Sequence, residues 1–227
     1  MFGVMFLTRG GRDKRNQGVS MSTSTTFKIT FALSTLLVSS FASSAIIVTS
    51  NSATFSALVA SGGGSISTES FEAYNGFYAS PLTGGSGDSA WSASAVGGIF
   101  CGAVGTSQVL STNNPVPLTI SFGSPNVFAV GGNFFSTDSN FNIVPGLITI
   151  SVAGVSYVYA SDGSSTSFGG FVSTSGAIDW IKIESIQGGP TLNLYPTVDN
   201  LVVGTVPSPA VLALGALAGA FGRRRRN

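Results

Sequence analysis

"PLTISF" (117–122) and "LITISVAG" (147–154) decide the fold class. In the first, Leu118, Ile120 and Phe122 alternate with Thr119 and Ser121; in the second, Ile148, Ile150 and Val152 alternate with Thr149 and Ser151. A period of two, built from β-branched and aromatic residues, gives a strand with one apolar and one hydroxyl face. "VSYVYASDG" (155–163) continues the pattern through Val155, Tyr157 and Tyr159 and stops at Asp162-Gly163, a turn signal. Across residues 46–205 the same texture recurs, broken by Gly, Asp, Asn and Pro, and no helical period of useful length interrupts it. About eight to ten strands are predicted, in an all-β antiparallel sandwich of the jelly-roll kind. No exact internal repeat is present, which argues against a solenoid.

Charge sharpens the picture. The 227 residues carry ten bases and nine acids, but Arg9, Arg12, Lys14, Arg15 and Lys28 lie before residue 29 and Arg223 to Arg226 close the chain. Between 46 and 206 one base, Lys182, faces eight acids, a net charge of −7. A segment of that sign is a poor partner for nucleic acid or anionic lipid. With no histidine, neither a Ser-His-Asp triad nor a His-ligated metal can be built. The single cysteine, Cys101, excludes an internal disulfide and reads as a small buried hydrophobe, with a reactive thiol as the alternative.

The ends read as sorting segments. Lys28, the apolar run "ITFALSTLLVSSF" (29–41) and "ASSA" (42–45) form a secretory signal with cleavage expected after Ala45. Met21 heads a signal of ordinary length and is the expected start, which leaves residues 1–20 outside the product. At the other end, Val206 to Gly222 would extend about 25 Å as a helix, against about 30 Å of hydrocarbon. Arg223, Arg224, Arg225 and Arg226 would then stop transfer and remain cytoplasmic. A core helix with a basic tail is the alternative, but 211–221 has no polar face.

The order of Val206-Pro207-Ser208-Pro209, apolar stretch and arginine cluster resembles the PEP-CTERM sorting signal. The resemblance covers residues 206–227 and implies an exosortase-type processing enzyme as partner, after a secretion translocon. It also implies a brief inner-membrane stage held by the C-terminal helix, then release to the cell surface or extracellular matrix. Ser208 stands where the family usually has glutamate, which puts the efficiency of processing in question. More weakly, "FAVGGNFFSTDSNFNIVPGLITISV" (128–152), "FGGFVST" (168–174) and "YPTVDNLVVG" (195–204) resemble the sandwich domains that often precede this signal.

Three candidate sites follow. "TESFEAYNG" (68–76) opens the domain and "TVDNL" (197–201) closes it; neighbouring first and last strands would bring Glu69 or Glu72 to Asp199. Such carboxylates could supply part of a calcium shell, or simply face solvent with Asp199 in an Asx-type turn. In "AIDWIKIES", inward Ile181 and Ile183 would turn Trp180, Lys182 and Glu184 outward. Trp180, and with it Trp91, is a candidate platform for a sugar ring, or else packs under a loop or sheet edge. A pair of acids for glycoside hydrolysis is conceivable among eight, yet no spacing singles one out. "SGGGS" (61–65) and "TGGSG" (83–87) precede no helix with a lysine and imply no phosphate cradle.

The leading expectation is therefore an exported, non-catalytic surface or matrix protein. A carbohydrate-binding module, calcium-assisted or not, is the alternative, and a glycan-active enzyme the third.

Overall fold

The computed structural model describes residues 46–188 and 193–206. They form fifteen strands, one α-helix and a short 3-10 turn at Gly87–Ser89. The strands make two antiparallel sheets. The nine-stranded sheet runs β1 (Ile46–Thr49), β13 (Phe168–Ser173), β9 (Val127–Thr137), β15 (Tyr195–Thr205), β7 (Ser107–Thr112), β6 (Ile99–Val104) and β3 (Gly76–Tyr78). To this path β2 (Ser65–Glu69) is added on β15 and β10 (Ile143–Val144) on β9. The six-stranded sheet runs β12 (Val155–Ser161), β11 (Gly146–Val152), β14 (Trp180–Ser185), β8 (Leu118–Phe122), β5 (Trp91–Ser94) and β4 (Leu82–Gly84). The expected antiparallel two-sheet architecture is present. More strands are found than the eight to ten expected, because several pairing segments are only two to four residues long and carry too few residues to show a period.

The alternation read from the sequence sets the core. Leu118, Ile120, Ile148, Ile150, Val152, Ile181 and Ile183 are all fully buried between the sheets. Each such side chain contributes about 1.5–3 kcal/mol by leaving water. β11 and β12 are joined by the two-residue turn Ala153-Gly154, both at positive φ (49° and 80°). That is the hairpin geometry whose twist matches the strands. Buried hydroxyls also cross the gap: Ser136 donates to Ser185 at 2.7 Å.

One element contradicts the expectation of no helix. α1 spans Ser52–Ser61, capped by Asn51, whose Oδ1 accepts from Thr54 N at 2.9 Å. Its buried face is only Phe55 and Val59, one turn apart, too short an apolar stripe to register as a period. These two pack on the outer face of the nine-stranded sheet against Ala129, Phe168, Val172 and Val202.

β15 is the organising strand. It pairs with β9 throughout, while its other edge takes β7 at Thr197 and Val198 and then β2 from Leu201 onward. The change of partner falls at a bulge after Asp199, where Asn200 has φ of 49°, a conformation Asn tolerates better than most residues. Val206 ends this part of the chain, its N–H donating to Asn126 O at 3.0 Å. The signal segment 1–45, Pro207, Ser208, Pro209, the apolar stretch after them and Arg223 to Arg226 lie outside the described residues. Among the described residues no helix is long and apolar enough to cross a membrane.

Candidate functional site

The outer face of the six-stranded sheet is built from the hydroxyl halves of the alternating strands. Register places Ser156, Ser151, Lys182, Thr119 and Ser94 in one line across five strands. Trp180, Ser121, Ser92 and Thr83 form the next line. Neighbours within a line are about 4.8 Å apart, and the lines about 6.8 Å. The expected outward turn of β14 is present: Trp180 is 37% exposed while Ile181 and Ile183 are fully buried. Lys182 Nζ and Glu184 Oε2 pair at 3.0 Å on the same face. An exposed pair of this kind adds at most about 1 kcal/mol.

Trp91 is a correction. It is 3% exposed and lies in the core, with ring centroids 5.6 Å from Phe71 and 5.9 Å from Tyr74. In "WSAS" it is Trp91 and Ala93 that point inward and Ser92 and Ser94 that point out, so this indole offers no face to a ligand.

The acidic cluster assembles in part. β2 does lie beside β15, but Glu69 turns back to its own loop, where Oε1 accepts from Phe71 N at 3.0 Å. Glu72 and Asp199 converge on Ser107, whose Oγ lies 3.0 Å from Glu72 Oε1 and 3.0 Å from Asp199 Oδ2. Among the described residues no group of three or more His, Cys, Asp or Glu side chains is placed to hold a metal. One hydroxyl carries one proton, so it can donate to only one of the two carboxylates. Ionised Asp199 therefore competes with Glu72 for the Ser107 proton, and uptake of a proton by Asp199 would remove that competition. Burial raises the Asp199 pKa, with the Glu72 charge adding to it, against the hydrogen bonds from Ser107 and Asn200 N that lower it.

The folded state holds the Asp199 proton more tightly than the unfolded chain, so the contribution is fully present below the unfolded value near 3.9. It is lost as pH rises through the raised folded value. Asp88, Asp138 and Asp162 are lowered by hydrogen bonds, first those from Ser124, Asn142 and Ser167 respectively, and act oppositely at acid pH. The Asp199→Asn variant isolates the effect: relative to the parent it should gain urea resistance as pH is raised from 4 to 8. A constant difference across that range would refute a held proton.

Cys101 is fully buried, and burial pushes its thiol up to about 12, which makes it a core residue and a poor nucleophile.

No protein-family model matches the chain, and no curated protein is similar to it in sequence. Among solved structures, the native structure of a family 35 carbohydrate binding module from Clostridium thermocellum is similar over 55% of this chain and 98% of its own. The identity is 17% and the TM-score 0.30.

Proposed function

We propose that the chain is an exported, non-catalytic β-sandwich that adheres to extracellular polysaccharide through the outer face of its six-stranded sheet. The observation that carries this is Trp180, more than one-third exposed at the head of a line of hydroxyls on Ser121, Ser92 and Thr83. A sugar ring offers a C–H face to an indole and hydroxyls to its surroundings. Ser and Thr hydroxyls both donate and accept, so they suit a partner that does the same. Repeated crossing of the chain between sheets from β7 onward supports the jelly-roll form of the sandwich. The PEP-CTERM-like end, with its exosortase and translocon partners, supplies the route to the cell surface.

The test uses protein recovered from its native surface or medium. Its intact mass should correspond to a chain beginning near Ile46 and ending near Pro207. Titrated with soluble polysaccharides, it should show a change in indole fluorescence, because Trp91 is shielded and Trp180 is not. Trp180→Ala should weaken binding about tenfold, or about 1.4 kcal/mol. Retention of residues 210–227 would sink the processing half; equal affinity in Trp180→Ala would sink the binding half.

A further inference from the structure

On the opposite sheet, at the β9–β15 end, a half-open cleft of about 210 Å³ is walled by Phe100, Phe141 and Tyr195. Phe141 sits at φ of 61° in the loop after β9. Its ring packs over Gly102, where any Cβ would come within 2.7 Å of it. It meets Phe100 at 5.6 Å between centroids. Asp138 braces the loop: Oδ1 accepts from Asn140 N at 2.8 Å and Asn142 N at 2.9 Å, and Oδ2 from Asn142 Nδ2 at 2.9 Å. The walls are therefore positioned before any ligand arrives, which lowers the ordering cost of binding.

The polar lining combines hydroxyl and amide groups with one carboxylate. Thr137 Oγ1 lies 2.9 Å from Thr197 Oγ1, and Thr197 directs its own proton to Ser111 Oγ (3.0 Å) or Tyr195 O (3.2 Å). Ser111 in turn donates to Pro196 O at 3.2 Å. The assignment that satisfies this relay has Thr137 donating to Thr197, so its remaining lone pairs can only accept. Asn113 spends one of its two amide protons on Gly97 O at 3.2 Å, and Thr112 its hydroxyl proton on Asn114 O at 2.6 Å. Asp138 remains a carboxylate, held below its ordinary range first by the Asn142 side chain, and one Oδ2 lone pair is uncommitted. Lys182, the one base between residues 46 and 206, is on the other sheet, paired with Glu184. Beyond the cleft, Phe77 is 57% exposed and is the cross-strand neighbour of Phe100, so aromatic surface continues past the opening.

Aromatic walls, a lining of hydroxyls and an amide, and an unneutralised carboxylate together select a ligand with C–H faces, hydroxyls and a positive charge. We propose that this cleft binds a hexose unit bearing a free amine, with Asp138 opposite the ammonium, Phe141 and Phe100 against the ring, and Phe77 under the next unit of the chain. A neutral sugar would leave the Asp138 charge unmatched, and a bare alkylammonium would leave Thr137 and Asn113 without donors. The cleft is remote from Trp180, so failure of either surface leaves the other intact.

The experiment titrates the sandwich with a tetramer of β-1,4-linked glucosamine and with its fully N-acetylated counterpart, by calorimetry at low salt. The free-amine form should bind at least tenfold more tightly, and Asp138→Asn, whose Oδ1 can still accept from Asn140 and Asn142, should abolish that preference. Phe100→Leu should weaken the free-amine tetramer while keeping the preference. Equal binding of both tetramers, or binding of neither by the parent protein, would overturn the proposal. Competition by tetramethylammonium as strong as that of the sugar would overturn the hexose part.

Discussion

Trp91→Ala is expected to lower stability by about 3–5 kcal/mol, a large fraction of the 5–15 kcal/mol typical of a folded domain. The indole is 3% exposed, meets Phe71 edge-on at 72° and leans on Tyr74. It also fills the space that glycine leaves at Gly84, where an added Cβ would lie 2.3 Å from Trp91 Cζ2. Truncation therefore opens a cavity bordered by two rings and a backbone, none of which can collapse into it without moving β4 against β5. Urea unfolding would read the loss directly. Trp91→Phe should be much milder, since Trp91 Nε1 is buried without a partner and its removal sacrifices no hydrogen bond. Polysaccharide affinity per folded molecule should be unchanged in both variants. A stable Trp91→Ala protein with lost affinity would reverse the roles assigned to the two tryptophans.

Phe55→Ala should cost about as much at its own site, again about 3–5 kcal/mol, but with a different reach. Phe55 and Val59 are the two buried residues of α1. Phe55 meets Phe168 edge-on at 5.7 Å and lies over Gly170, where a Cβ would come within 2.6 Å of its ring. A ten-residue helix has little stability of its own in water. Loss of the Phe55 ring should undock the helix before the sheets open, as a local rather than global event. Hydrogen exchange would show it: amides of residues 55–61 should lose protection while those of β9 and β15 keep theirs. Uniform loss across all elements would mean that the helix is integral to the cooperative unit.

The sequence made the long strands legible because β8, β11 and β14 each bury one face completely, and the period of two is then unmistakable. The same logic placed Trp180 outward through its neighbours Ile181 and Ile183. It failed for Trp91, which begins its strand after a 3-10 turn, with only Ala93 to set the phase of "WSAS". It failed for α1, whose two buried residues, Phe55 and Val59, are separated by Ser56, Ala57 and Leu58 and flanked by Ser, Thr and Ala. Neighbouring first and last strands were expected to bring Glu72 to Asp199, but β1 pairs with β13 and it is β2 that lies on β15; the intervening Ser107, on β7, gave no signal. The cleft was beyond reach because Phe100, Phe141 and Tyr195 come from separate strands and loops. A local signal was available in "DSNFN" (138–142), where one Asp followed by Asn at two and four residues favours a loop folded around its own carboxylate.

The course of β15 and its neighbours gives the molecule a base and a summit. Ile47, Val172, Ala129 and Gly204 occupy one register row, so the segments leading to residue 46 and away from residue 206 emerge from one end of the sheet, about 14 Å apart. Tyr195 and Thr137, at the mouth of the cleft, pair at the other end of the eleven-residue β15, about 33 Å away at roughly 3.3 Å per residue. A domain moored by either terminus would stand with Trp180 low on its flank and the aromatic cleft uppermost, farthest from the point of attachment.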